Sequence, residues 1–220
     1  MRLTLKITKS GLQELKQMNN GIKIQGISSQ RSKICLAVGH TQTAKGVMNK
    51  DGIYEFDFNV NIASLVQGIL RSKYSAGVEV TIRQEDNYDN YSVDFAKIAT
   101  DTYTNVYELH FNAAGGLGSG AEFLCLQQET GAAFANAMMK NFVGKGFALH
   151  GGGLKYLTSN DRGYLLLRNL QDVKCATVIV EPCFGDNRQD PNYNLVFADR
   201  GGKYASMLAE TIYNLHFKEI

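Results

Sequence analysis

Four residues of the chain could carry chemistry, and each closes or opens a regular element. His40 ends the run ICLAVGH, His110 ends VYELH, and Glu181 ends TVIVE, where Pro182 stops further ladder donation. Glu55 opens a helix-spaced segment after the loop that follows His40, a place where the helix dipole favours an acid. Taken singly, each has an ordinary explanation: a strand-end histidine as a hydrogen-bonding residue, a first-turn glutamate as a dipole partner. Together they have another. Two imidazoles and one carboxylate make a zinc centre with one position open to water, which is the catalytic rather than the structural arrangement. Zinc held this way lowers the pKa of its bound water towards about 7 and polarises a carbonyl. A second carboxylate close by can act as general base and then as acid, and Glu181 can do this without being a ligand. Spacing alone does not bring the four together, since His40 and His110 are 70 positions apart. The elements that carry them must do so.

Those elements alternate. Residues 34–38 (ICLAV) form a near-continuous apolar run, the mark of a central parallel strand covered on both faces. Residues 55–70 place Phe56, Val60, Ala63 and Ile69 at helical spacing. Further strands are predicted at 78–82, 106–111, 122–126 and 177–180, and helices at 91–99, 130–142 and 200–217. Ahead of these, residues 2–8 (RLTLKIT) alternate like a half-buried strand, 11–19 read as a short helix, and 21–30 as a polar joining segment. The alternation predicts a three-layer α/β fold, with a mostly parallel central sheet and helices on both faces. Such sheets place their sites at the carboxyl ends of strands, where His40, His110 and Glu181 fall. One domain is expected over residues 33–220, with 1–32 as an N-terminal extension adding an edge strand and a short helix.

Composition narrows the function classes. At 220 residues and 24.3 kDa the chain suits one large domain. It can bury roughly 70% of its unfolded surface, so neither a disulfide nor a metal is needed merely to fold. With 44% hydrophobic and 20% charged residues, disorder is excluded. A net charge of +2 and the lack of a Lys/Arg cluster interleaved with aromatics argue against nucleic acid, while tolerating an anionic polymer as substrate. No apolar run approaches a membrane span, and the first twenty residues hold no secretory apolar core, so synthesis in the cytoplasm without a signal peptide is expected. Cys35, Cys125, Cys175 and Cys183 lie in or beside apolar runs without C-x-x-C spacing and read as buried, reduced thiols.

Several segments, in order, resemble the zinc-dependent N-acetylmuramoyl-L-alanine amidases of the amidase 3 type, found in bacterial cell-wall hydrolases and phage endolysins. A strand ending in Gly-His is followed by a loop and a helix-opening glutamate, here Val38-Gly39-His40 and Tyr54-Glu55-Phe56. A G-x-x-V-x-x-T/I-R strand with a following acid is seen as Gly77-Val78-Glu79-Val80-Thr81-Ile82-Arg83 and Asp86. The family's S-x-H-x-N segment is matched by Glu108-Leu109-His110-Phe111-Asn112, and its G-x-E-x strand by Gly120-Ala121-Glu122-Phe123. A leucine-rich stretch, Leu165-Leu166-Leu167-Arg168, precedes the E-x-x-F-x-x-N run that begins at Glu181 and ends at Asn187. The resemblance covers about residues 33–217. It implies one zinc ion on His40, Glu55 and His110, with Glu181 as catalytic acid/base. It further implies peptidoglycan as the partner, and action on the cell wall after release, in a phage endolysin by host cell lysis. A monomer is expected.

The chain departs from the family in three places. Leu36-Ala37-Val38 replaces an aspartate-proline, Glu108-Leu109 replaces the serine before the second histidine, and proline and cysteine follow Glu181. None removes a ligand, though each can alter what orients one. Two rival readings remain: a non-catalytic peptidoglycan-binding module on the same fold, and a zinc endopeptidase acting on the stem peptide. The glycines at 116, 118 and 120 imitate a nucleotide loop but precede a strand rather than a helix. Gly151, Gly152 and Gly153 read as a flexible loop after a non-catalytic His150, one that could border a substrate groove. His216 reads as a cation complementing the dipole of the last helical turn.

Overall fold

The run ICLAV is strand β1 (Ile34–Val38), and all five of its side chains are buried because β1 lies inside the sheet and is covered on both faces. The structure, a computed structural model, describes residues 33–218 except 85, 128 and 129. The extension of residues 1–32, with its expected strand and helix, lies outside the described residues. Five more strands complete the sheet: β2 (Val78–Ile82), β3 (Asn105–Leu109), β4 (Ala121–Cys125), β5 (Leu149–Tyr156) and β6 (Ala176–Glu181). Their order is β2-β1-β3-β6-β4-β5, and every neighbouring pair is parallel except β4 with β6.

Helices α1 (Glu55–Tyr74), α2 (Tyr88–Ala99), α3 (Thr130–Gly144), α4 (Tyr164–Asp172), α5 (Tyr193–Phe197) and α6 (Gly202–His216) surround the sheet. Alternation along each strand sends neighbouring side chains to opposite faces. Leu36, Val38, Leu109 and Val180 therefore pack with Ile62 and Val66 of α1, Met138 and Phe142 of α3, and Leu208 of α6. Cys35, Ala37 and Val106 turn the other way, onto Tyr91 and Phe95 of α2 and Leu166 and Leu170 of α4. Each large side chain so buried contributes about 1.5–3 kcal/mol, which makes the centre of the sheet a rigid base for its carboxyl ends. The expected three-layer, mostly parallel α/β fold is the one observed.

The structure revises several local expectations. Gly151, Gly152 and Gly153 belong to β5 and not to a flexible loop. Gly151 and Gly153 adopt positive φ, and the register with β4 shifts between Ala121 and Phe123, so the glycines form an irregularity inside a paired strand. The final helix begins at Gly202, after a short 3-10 turn over Ala198–Gly201 in which Asp199 and Arg200 are left-handed. Helix α2 starts three residues earlier than predicted, because the Asn87 side chain accepts from the N–H groups of Asp89 and Asn90. All four cysteines are buried, as expected.

Candidate metal centre

Strand register assembles the site. Val38 pairs with Leu109, and Leu109 with Val180, so β1, β3 and β6 end side by side. The Gly39 N–H donates to the Leu109 carbonyl at 3.0 Å and the His110 N–H to the Val180 carbonyl at 3.1 Å. His40, His110 and Glu181 thus emerge together at the carboxyl ends of three adjacent strands. Glu55 arrives from the opposite direction, at the first position of α1. The first N–H groups of a helix have no partner within it. Here the preceding loop supplies partners, with Glu55 N–H on the Val47 carbonyl at 2.8 Å and Phe56 N–H on that of Lys45 at 3.0 Å. That clasp fixes where the glutamate points.

Glu55 is only 2% exposed, and its carboxylate bridges the two imidazoles. Its Oε2 lies 3.0 Å from His40 Nε2 and its Oε1 2.8 Å from His110 Nδ1. Backbone N–H groups of Phe111 (3.1 Å) and Val47 (3.4 Å) donate to the same two oxygens. The rings meet edge to face with centroids 5.1 Å apart. One donor atom from each of His40, Glu55 and His110 lies within 4.8 Å of the others. His40 holds a left-handed backbone, φ +68°, a conformation that costs a residue other than glycine about 1–3 kcal/mol and is retained where surroundings enforce it.

Two glycines make room. A Cβ on Gly39 would lie 2.3 Å from His110 Cε1, and one on Gly46 would lie 2.6 Å from both Glu55 Oε2 and His40 Nε2. No other residue type fits at either place without moving a donor. Charge completes the case for a cation. Burial opposes ionisation of Glu55, yet hydrogen bonds and charge from His110 and His40 hold it down to about 2. Burial likewise disfavours a charged His110, but Glu108 and then Glu55 raise it well above the usual imidazole range. A pocket in which two carboxylates flank one imidazole calls for positive charge, from a proton or from a metal. Imidazole and carboxylate donors suit first-row divalent metals, so the three residues fit such an ion.

Glu181 stands apart from that donor group, at the end of β6 opposite Glu122 of β4. Burial raises it to about 7; His110 works against the shift, and Glu55 and Glu122 add to it. A carboxyl poised near neutrality suits proton transfer. Glu122 is itself held by Asn112, whose Nδ2 donates at 2.5 Å.

The remaining sequence candidates lie outside the donor group. The loop over residues 113–120 gives its N–H groups to acids of this chain: Asp186 accepts from Ala114 (3.1 Å) and Gly116 (2.8 Å), and Asp190 from Gly120 (3.0 Å). Gly118 leaves space for the Phe184 ring, which a Cβ would meet at 2.1 Å. These glycines thus serve packing, and no phosphate cradle is built. Asp190 and the buried Asn192, which ties Ala148 to Pro182, shape the chain after Glu181. Nothing in the sequence singled them out beyond their being polar and next to a proline. His150 is exposed and bonded through Nδ1 to the Ser119 carbonyl at 2.9 Å, outside the donor group. His216 is no cation: burial pushes it down to about 4, which overturns the dipole expectation.

Fold and site together define an α/β domain in which two histidines and one carboxylate could hold a metal ion at the strand ends, with Glu181 on the adjoining strand. Residues 34–213 match the N-acetylmuramoyl-L-alanine amidase family of the amidase 3 type, and the chain belongs to that family. Hydrolysis of an amide bond of peptidoglycan is the activity this membership supports. The chain is similar to the catalytic domain of the CD27L endolysin targeting Clostridia difficile, at 23% identity and a TM-score of 0.64, over 83% of this chain and 97% of that one. It is similar to the catalytic domain of the amidase CwlV from Bacillus (Paenibacillus) polymyxa var. colistinus, at 22% identity and 0.62, over 83% and 97%. It also resembles an N-acetylmuramoyl-L-alanine amidase from Clostridium difficile 630, at 17% identity and 0.65, over 86% and 100%. These likenesses are of fold. No curated protein sequence matches the chain. Among the described residues, no helix is long and apolar enough to cross a membrane.

Proposed function

We propose that this protein is a zinc-dependent N-acetylmuramoyl-L-alanine amidase, acting as a monomer and released to the cell wall as a phage endolysin. The observation that carries the reading is Glu55 bridging His40 Nε2 and His110 Nδ1 at the strand ends, with Glu181 on the adjoining strand. His40, Glu55 and His110 would hold the zinc ion. When bound, zinc supplies Lewis acidity towards a carbonyl oxygen and towards water. Glu181 takes the proton of the attacking water, and its position near neutrality, about 7, lets it do so at physiological pH. The same carboxyl then gives that proton to the departing alanine nitrogen, so the amide between the lactyl group of N-acetylmuramic acid and L-alanine is cut. Likeness to an endolysin catalytic domain supports the endolysin assignment.

Metal content measured together with mass spectrometry of digested peptidoglycan tests the reading. The purified protein should carry about one zinc and lose activity to a chelator. Digestion should release stem peptides with new alanine amino termini and leave the glycan strands without new reducing ends. New termini on the diamino acid or D-alanine would replace the amidase with an endopeptidase. Binding without cleavage would leave a peptidoglycan-binding module.

A further inference from the structure

We propose that Glu108 is a positioning residue of this centre, holding the His110 ring so that Nε2 keeps the proton and Nδ1 turns to the metal. The inference rests on the reading of His40, Glu55 and His110 as zinc ligands. Glu108 stands where the S-x-H segment of the resembling family has serine, so the carboxylate belongs to this chain's own sequence. It lies mid-sheet on β3, between Ala37 of β1 and Ile179 of β6, and is 1% exposed. An isolated charge there would be strongly disfavoured, so its partners have to account for it. Two face Oε2: the Tyr88 hydroxyl donates at 3.1 Å, and His110 Nε2 lies at 3.5 Å. Arg83, itself buried, stacks its guanidinium over the rings of Tyr88 and Tyr91 at 5.0 and 5.4 Å and adds positive charge to the same side of the sheet.

Strand geometry explains the spacing. Residues i and i+2 face the same side, so an acid two places before His110 lies beneath its ring. A neutral imidazole carries one proton, and the hydrogen bond at one nitrogen decides which nitrogen is free to bind a metal. Here the far nitrogen meets Glu108 while Nδ1, 2.8 Å from Glu55 Oε1, faces the other donors. Gly39 lets the ring lie close to β1, and Glu108 sets its tautomer and tilt.

Zinc titration against a competing chelator, on the full chain, tests this with wild type, Glu108→Gln and Tyr88→Phe. Glu108→Gln keeps the size and removes the charge; zinc should bind about 10- to 100-fold more weakly. Tyr88→Phe, which removes only the donor that holds the carboxylate, should weaken binding in the same direction by less. Nitrogen-15 NMR of the zinc-loaded wild type should find the His110 proton on Nε2. A purely structural role for Glu108 would lower the unfolding temperature of the metal-free protein while leaving zinc affinity within twofold of wild type, and that result overturns the proposal. So does a proton on Nδ1. Should Glu108→Gln fail to fold, unchanged affinity in Tyr88→Phe overturns it and weakened affinity supports it. A wild type that binds no zinc overturns the zinc reading and this inference with it. Normal zinc binding in wild type and Glu108→Gln alike overturns this inference alone.

Discussion

Two histidines of this chain, His110 and His216, are packed against neighbouring residues of one strand and have opposite characters. On the β3 face towards α2, Glu108 meets His110, which a second carboxylate, Glu55, also touches. On the other face, the Tyr107 hydroxyl lies 2.6 Å from His216 Nε2, and Phe134 stacks on the His216 ring at 4.8 Å. Burial acts on both in the same sense, against the charged form. Carboxylates reverse that outcome for His110 and raise it well above its ordinary value, whereas His216 falls to about 4 and stays neutral. Residue type is therefore no guide to role here. The acids within reach of the ring make one histidine a candidate ligand, and the aromatic surroundings of the other leave it neutral.

Deleting the two rings in turn gives the largest expected contrast. His110→Ala, like His40→Ala, should lose zinc and fall to background activity, because each removes one of three ligands. His216→Ala should keep zinc and most activity, yet lose about 1–3 kcal/mol of stability by stranding the buried Tyr107 hydroxyl. Metal analysis, activity and denaturant unfolding of the three variants check this. Full zinc occupancy in His110→Ala would end the contrast.

The next effect separates ligand from acid. Glu181→Gln should retain zinc and fold while losing on the order of a hundredfold or more in rate. With wild type, kcat/KM should rise with pH as Glu181 deprotonates, from a folded value of about 7 that bound zinc displaces downward. The acid limb should vanish in Glu181→Gln. Wild-type turnover in that variant would move the proton transfer to another group.

The same contrast shows what the sequence could and could not reveal. Runs such as ICLAV and TVIV mark central strands because burial on both faces leaves no polar alternation, and His40, His110 and Glu181 at their ends were visible for that reason. Glu55 was visible as the opening of a long amphipathic helix. Strand β5 was not, because three successive glycines carry no side-chain pattern and the strand's pairing depends on β4, distant in sequence. His216 was misread because a last-turn histidine looks the same whether water or Phe134 surrounds it. In the sequence Gly39 is no more than the glycine of a strand-ending Gly-His and Gly46 carries no signal at all, and only the assembled rings show what a Cβ would strike. Glu108 registered merely as a departure, since nothing local says which side chain will lie against it.

The smallest effect is the acid sensitivity of His216, and it sharpens the comparison most directly. A histidine in the unfolded chain titrates near 6.5, whereas His216 in the fold titrates near 4. Between those values the unfolded chain binds a proton that the folded one excludes, so stability is complete above about 6.5 and falls as pH drops towards 4. With the ring partly exposed to water, the loss should amount to about 1–3 kcal/mol. His110 carries the opposite sign: its raised value stabilises the metal-free fold at low pH and is lost as pH rises through it. Unfolding of metal-free wild type and of the double variant Tyr107→Phe/His216→Leu, followed from pH 7 to pH 4, isolates the contribution of His216. The double change removes both partners of the buried hydrogen bond, so neither group is left stranded, and the contributions of Glu55, His110 and Glu181 are common to both proteins. The variant should lose less stability than wild type over that interval and run parallel to it above pH 6.5. Parallel curves throughout would mean that His216 accepts a proton within the fold, and the two histidines would then differ in partners alone and not in charge.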